Sequence, residues 1–292
     1  MRSPEIFLTD DNGNAVIKAY HSYLPPQDRP YQAHHHTECE LSFFLKGSGI
    51  YRLQNKQYSF HAGDVFLFGS NEAHCITEIH EEMDLLNFHF EPRILWEQFE
   101  CSQILNLFAA RGKNFSNRFP AGDAILAEKL HNLEQELIQQ QIGCVINAKY
   151  LLFSVLVHMI RAYDCIDPNK AISSPTAPVH DLKAAMQYIH QHLSEPLTLK
   201  ELADVAHLTP TYFSSLFKKF NGVSPWKYIT IKRVELAINL LRTTSLSKLE
   251  IAERCGFASS SNFYAAFTAV TGKNPSAYST ATQAPEKIPK QN

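Results

Sequence analysis

The chain has 292 residues, with 27 Lys and Arg against 29 Asp and Glu and a formal net charge of −2. That length accommodates two domains of ordinary size, and the near-neutral total excludes a chain that is polybasic throughout. Met1-Arg2-Ser3-Pro4-Glu5 has no apolar secretion-signal core, the six cysteines form no Cys-x-x-Cys pair, and the strongest apolar run, Tyr150 to Ile160, is too short to span a bilayer. These features exclude a zinc knuckle and lead to the expectation of a cytoplasmic protein with reduced thiols and no membrane partner.

Residues 1–95 read as short strands. Ile6-Phe7-Leu8 precedes the turn cluster Asp11-Asn12-Gly13-Asn14, and Leu41 to Leu45 leads into Gly47-Ser48-Gly49. Ile50 to Leu53 and Gln57 to Phe60 flank Asn55-Lys56 as a hairpin, Val65 to Phe68 follows Gly63-Asp64, and Leu85 to Phe90 alternates before Pro92. Strands this short and regular predict a small barrel or jelly roll.

The period changes to helical between 96 and 166, which is assigned as a helical dimerisation segment. Ile125, Leu126, Leu130, Leu133, Leu137 and Ile138 share one face of a helix from about Asp123 to Gln141, and Gly143 separates it from a second helix over Cys144 to Tyr163. The stripe of Ile125, Leu130, Leu133 and Leu137, with the helix after Gly143, is expected to form a homodimer seam; the alternative is that both helices cover the barrel. Residues 167–179, rich in Pro and Ser, read as a linker.

From 180 to 282 one unit is written twice. Thr198-Leu199-Lys200-Glu201 and Ser247-Lys248-Leu249-Glu250 are both capping boxes. At an offset of 49, Glu201 matches Glu250 and Ala203 matches Ala252. At 50, Phe213, Phe217, Gly222, Pro225 and Tyr228 match Phe263, Phe267, Gly272, Pro275 and Tyr278. Each copy reads as a helix-turn-helix, with the turn at His207-Leu208 in the first and at Gly256 in the second. A long helix after Ser224-Pro225 joins them, with Trp226, Ile229, Val234, Ala237, Leu240 and Leu241 on its apolar side. A rigid pair of this kind can set two recognition helices in successive major grooves, about 34 Å apart. Residues 180–292 hold 13 Lys and Arg against 8 Asp and Glu, whereas residues 1–179 hold 14 against 21. A basic C-terminal part suits a polyanion.

Residues 180–279 resemble the DNA-binding domain of the AraC/XylS family of transcription regulators. The resemblance rests on Ile251-Ala252-Glu253-Arg254-Cys255-Gly256-Phe257-Ala258-Ser259 and on Phe263, Phe267, Gly272, Pro275 and Tyr278. It implies base reading by Thr211, Ser214 and Ser215 in the first copy and by Ser261, Asn262 and Ala265 in the second. Lys218 and Lys219 are better placed for phosphates, as are Ser259 and Ser260 with the helix N-terminal amides. Where the family often carries Arg and a second basic residue, this chain has Ala265 and Thr268, so weaker or more shape-dependent readout is expected from the second helix.

In the N-terminal part, His34-x-His36-x-x-x-Glu40 followed by Gly47 resembles the first cupin motif, and Gly63-Asp64 with His74 resembles the second, although Gly69 and Asn71 replace its usual proline and glycine. In a regular strand His34, His36 and Glu40 face the same side. His34, His36, Glu40 and His74 are therefore candidates either for a divalent transition metal or for a metal-free pocket that binds a polar effector, with Tyr31, Phe43, Tyr51, Tyr20 and Tyr23 as candidate lining. No cofactor is required on the second reading. The expectation is a regulator, not an enzyme. It would be an activator that responds to a sugar-like effector and binds double-stranded promoter DNA as a homodimer, with RNA polymerase as a further partner. The competing reading is a metal-dependent cupin enzyme with an accessory helical domain, which leaves the doubled helix-turn-helix unexplained.

Overall fold

The computed structural model describes residues 3–9, 15–28, 36–53, 56–95, 103–169, 171 and 177–278. The chain divides into two compact units, one of residues 1–180 with 217–223 and one of 181–216 with 224–292.

The first unit is β-rich. Its strands are β1 (Ile6–Thr9), β2 (Ala15–Leu24), β3 (Gln27–Asp28), β4 (Cys39–Lys46), β5 (Ser48–Leu53), β6 (Lys56–His61), β7 (Val65–Phe68), β8 (His74–Ile79), β9 (Met83–Phe90) and β10 (Arg118–Phe119). They form a six-stranded sheet in the order β1-β2-β9-β4-β7-β10 and a four-stranded sheet in the order β3-β8-β5-β6. All the described pairings are antiparallel. The hairpin read around Asn55-Lys56 is the β5–β6 pair. The sequence reading passed over β2, whose polar Lys18, His21 and Ser22 blur its alternation.

Register decides what each sheet face carries. Across β4 and β9, Glu40 lies opposite His89, Ser42 opposite Asn87 and Phe44 opposite Leu85. Residues opposite one another share a face, so these six point the same way. Tyr20, opposite Asn87, and Phe66 and Phe68, opposite Ser42 and Glu40, join them. At the apolar end Phe44, Phe66, Phe68 and Leu85 pack with Tyr51, Leu53, Phe60, Ile76 and Ile79 of the other sheet. Each such large side chain, once fully buried, contributes about 1.5–3 kcal/mol.

The opposite face, with Leu41, Phe43, Leu86 and Phe88, is covered by a helix. After a short α1 (Asn106–Ala109) come α2 (Ala124–Gln139) and α3 (Cys144–Ala162). Asp123 caps α2 by accepting from the Leu126 amide at 2.9 Å, and Gln140 ends it in the left-handed region. On α2, Glu134 Oε1 meets His21 Nε2 at 2.8 Å, and the His131 ring lies 5.4 Å from that of Phe43. Leu126, Leu130, Leu133 and Leu137 are all buried inside this unit. That corrects the proposed seam. A dimerising stripe must face solvent in the monomer, and three of the four residues assigned to it are consumed by the helix's own packing, leaving only Ile125 exposed. By length and composition α3 would suffice to cross a bilayer, because the helix extends beyond the apolar run read from the sequence. It packs against α2 and buries Ala148, Leu152, Val155, Leu156 and Met159.

The expected linker is shorter at both ends. Ile166 forms a β-bridge with Arg111, the Asp167 amide donates to Ala110 O at 2.7 Å, and α4 begins at Ala177. Residues 170 and 172–176 lie outside the described residues.

The second unit is helical: α4 (Ala177–Gln191), α5 (Leu199–Val205), α6 (Pro210–Asn221), α7 (Pro225–Thr243), α8 (Lys248–Arg254), α9 (Ser260–Thr271) and a 3-10 turn at Pro275–Tyr278. Both capping boxes form in full. The two turns share one hydrogen-bond skeleton. Leu208 N donates to Ala203 O at 2.9 Å and Phe257 N to Ala252 O at 3.0 Å; His207 N reaches Asp204 O and Gly256 N reaches Glu253 O. Val234, Ala237 and Leu241 of α7 pack with Ile251, Ala252, Cys255, Phe263 and Phe267. Trp226 does not belong to the buried face of α7: it is 45% exposed, and Tyr228 is buried in its place. Two residues apart means about 200° around a helix, so the two rings cannot share a side.

Candidate functional site

One end of the space between the sheets is polar. Glu40, at the start of β4, is 3% exposed and is ringed by imidazoles. Its Oε2 lies 2.8 Å from His36 Nε2, 3.2 Å from His74 Nε2 and 3.6 Å from His89 Nε2. Its Oε1 accepts from Ser42 Oγ at 2.5 Å, and Ser42 also reaches Asn87 Oδ1 at 3.2 Å. Backbone carbonyls orient two of the rings: His36 Nδ1 donates to Glu38 O at 3.0 Å and His74 Nδ1 to Glu72 O at 2.7 Å. Tyr20 Oη lies 3.0 Å from His89 Nε2. Phe68 stacks on His74 with ring centroids 4.1 Å apart, which joins the polar group to the aromatic core.

The charges follow from burial and neighbours. Burial opposes ionisation of Glu40, but the imidazoles of His74 and His36, both hydrogen-bonded to it, outweigh burial and hold the carboxyl well below the usual range. Burial lowers His74, yet Glu40 more than compensates and its pKa is raised. For His89 burial prevails over the pull of Glu40 and the pKa falls to about 3, so the ring is neutral. At the edge of the cluster Glu38 pairs with Lys18 at 2.9 Å. Although burial opposes it, Lys18, His36 and His89 keep that carboxyl ionised far below its ordinary value.

The structure thus brings together His36, Glu40 and His74 of the sequence-derived set. His34 and Tyr31 lie outside the described residues. Phe43 is a correction: three residues from Glu40, it has the opposite strand parity and faces His131 on α2, away from the polar space. Tyr23 likewise stacks on His21 on the outer side, while Tyr51 is buried in the aromatic core. His36 precedes β4, and its side chain reaches back to Glu40 without continuing the strand. Sequence reasoning missed His89, Asn87 and Ser42. The signal was present: Asn87 and His89 are two polar residues at i and i+2 in the otherwise apolar Leu85 to Phe90, which places both on one face.

The polar residues named on the two recognition helices lie on their outer sides. Thr211, Ser215, Lys218 and Lys219 on α6 are exposed and Ser214 is half-buried; on α9 Ser261, Asn262 and Ala265 are exposed and Ser260 is half-buried. Ser259 is engaged as a cap and accepts from the Asn262 amide at 3.2 Å. Phe213, Phe217, Phe263 and Phe267 are fully buried. Tyr212, at the position matching Asn262, is 49% exposed and was not singled out from the sequence.

Comparison with known proteins agrees with both units. Residues 18–156 match the model of the AraC-like ligand binding domain, and residues 202–281 match that of a helix-turn-helix domain. The transcriptional activator RhaR of Escherichia coli is 25% identical over 273 residues, covering 93% of each chain. The probable transcriptional regulator LumQ of Photobacterium leiognathi is 25% identical over 86% of this chain and 93% of its own. The uncharacterised regulator YobQ of Bacillus subtilis is 42% identical over 95 residues, 32% of this chain and 39% of that one. The crystal structure of apo ToxT from Vibrio cholerae superposes with a TM-score of 0.55 at 13% identity, covering 91% of this chain and 97% of that one, and so shares the fold. A ligand-binding β-domain followed by a doubled helix-turn-helix is the arrangement these matches describe, and the chain belongs to the AraC family of transcriptional regulators.

Proposed function

We propose that this regulator binds a small hydroxylated effector, a sugar or sugar derivative, between its two sheets at Glu40, and that effector binding controls how residues 181–278 engage double-stranded promoter DNA. The observation that carries the reading is the buried polar group of Tyr20, Glu40, Ser42, His74, Asn87 and His89, with the partly exposed His36 at its edge, at one end of an otherwise apolar interior. Buried polar groups need partners, and a polyhydroxylated ligand supplies several at once, with Tyr20 offering both a ring face and a hydroxyl. On the DNA side α6 contributes Thr211, Ser214 and Ser215 to bases and Lys218 and Lys219 to phosphates, and α9 contributes Ser261 and Asn262.

Activation is supported by relatives named as activators over 93% of their length, and RNA polymerase is proposed as the partner on that reading. A homodimer is assigned to the exposed apolar residues where α2 meets α3, Ile138, Ile142, Ile146 and Tyr150. The setting is the cytoplasm.

The test is a thermal-shift screen of sugars joined to promoter retardation. His36→Ala is expected to abolish the effector-induced shift while basal DNA binding persists, because the helical unit has its own core. A response that survives both His36→Ala and Glu40→Ala places the effector elsewhere.

A further inference from the structure

The geometry points to a divalent transition-metal site made by His36, Glu40 and His89, with His74 holding the Glu40 carboxylate in place. It lies within the proposed effector pocket, and its role there rests on that reading, but the site itself stands on the residues alone. His36 Nε2 and His89 Nε2 stand 2.8 Å and 3.6 Å from the same oxygen, Glu40 Oε2. Two donor atoms about 2.1 Å from one ion are separated by about 3.0 Å in octahedral and about 3.4 Å in tetrahedral geometry. The observed spacings bracket those values, and ligand atoms of the three residues all lie within 4.8 Å of one another.

Tautomers give the second argument. A backbone carbonyl can only accept, so the contact to Glu38 O puts a hydrogen on His36 Nδ1 and turns Nε2 toward Glu40 Oε2. His74 is fixed in the same way by Glu72 O. Ligating imidazoles in metal sites are held in this manner, with the distal nitrogen hydrogen-bonded to a carbonyl. The third argument is His89: it is 5% exposed, and its Nδ1 has no hydrogen-bond partner among the described residues. The ring is thus engaged through Nε2 alone, which lies 3.0 Å from Tyr20 Oη and 3.6 Å from Glu40 Oε2, on the side the ion would occupy. Two imidazoles and one carboxylate suit zinc, nickel or iron and leave positions open. Those positions define the effector more narrowly, as a molecule with adjacent oxygen donors such as a vicinal diol or a 2-hydroxy acid.

The experiment uses the full chain without an affinity tag, stripped with a chelator and dialysed. Titration with zinc ions is expected to show one ion per chain. Cobalt substitution is expected to give visible d–d absorption. His36→Ala and Glu40→Gln are each expected to weaken zinc binding at least about tenfold and to remove the cobalt spectrum. His89→Ala is expected to do the same; if its circular dichroism shows misfolding, the half-exposed His36 decides the matter. No zinc binding by the wild type, or binding unchanged in His36→Ala and Glu40→Gln, overturns the site. A sugar-induced thermal shift that persists in the stripped protein, without zinc binding, removes the metal and leaves the effector pocket standing. Zinc binding with the expected mutational losses and no sugar response supports the metal and removes the sugar.

Discussion

The two helix-turn-helix copies share a skeleton and differ in surface. Both begin with a complete capping box, both close their turn with equivalent backbone bonds, and both bury two phenylalanines one helical turn apart. Yet the turn residue is His207 at φ 49° in one copy and Gly256 at φ 78° in the other. The recognition helices differ as well. α6 ends in Lys218 and Lys219, while α9, from Ser260 to Thr271, has no charged residue. The difference separates two tasks. Caps, turn and core are set by backbone geometry that each copy must satisfy, whereas exposed positions are free to diverge in what they contact. One recognition helix carries two lysines in its last turn, and the other offers only neutral polar groups.

The sharpest break in this equivalence comes from Gly256→Ala. A Cβ there meets Leu193 O and Ser194 C at 2.9 Å, and the backbone is left-handed. The variant is expected to lose about 2–3 kcal/mol of stability, read as a fall in the denaturant midpoint, whereas His207→Ala should cost far less because that turn already tolerates a side chain.

Asn262→Ala is expected to lose about 1–3 kcal/mol of discrimination at one base pair, with an unchanged salt dependence, since asparagine reads an adenine edge without carrying charge. Lys218→Ala and Lys219→Ala are expected to do the reverse. Each should weaken all DNA sequences alike and lower the salt slope by about one unit. Slopes that respond to Asn262 and not to the lysines would invert the division of labour.

The smallest effect is expected from His207→Gly. Relieving a left-handed non-glycine residue, against the extra unfolded-state freedom of glycine, should stabilise the protein by about 0.5 kcal/mol. A measurable loss would show that the imidazole makes a contact the turn depends on.

Much of the helical unit was legible in the chain itself, because its determinants are local. Thr198 and Ser247 with glutamate three residues on, proline after Thr209 and Ser224, and phenylalanines at a spacing of four act within one or two helical turns. The α2 and α3 boundaries were legible for the same reason, through Asp123 and Gly143. What local pattern could not decide was which element faces which. The leucines of α2 form an apolar stripe whether they meet a second copy or their own sheet, and only the packing of Glu134 and His131 onto His21 and Phe43 shows that they meet the sheet. The pocket depended on tertiary structure still more. His74 and His89 come from stretches of chain separate from that of His36 and Glu40, and β4–β9 register sets Glu40 beside His89 across 49 residues of sequence. Phe43 was excluded by the same register, since strand parity had meaning only once the strand containing Glu40 was known to start at Cys39. Sequence alone determined the longer helices, many of the strands and the doubled motif, because caps, turns and periodicity are short-range. The convergence of His74 and His89 on Glu40 was decided by long-range strand pairing, which no local spacing encodes.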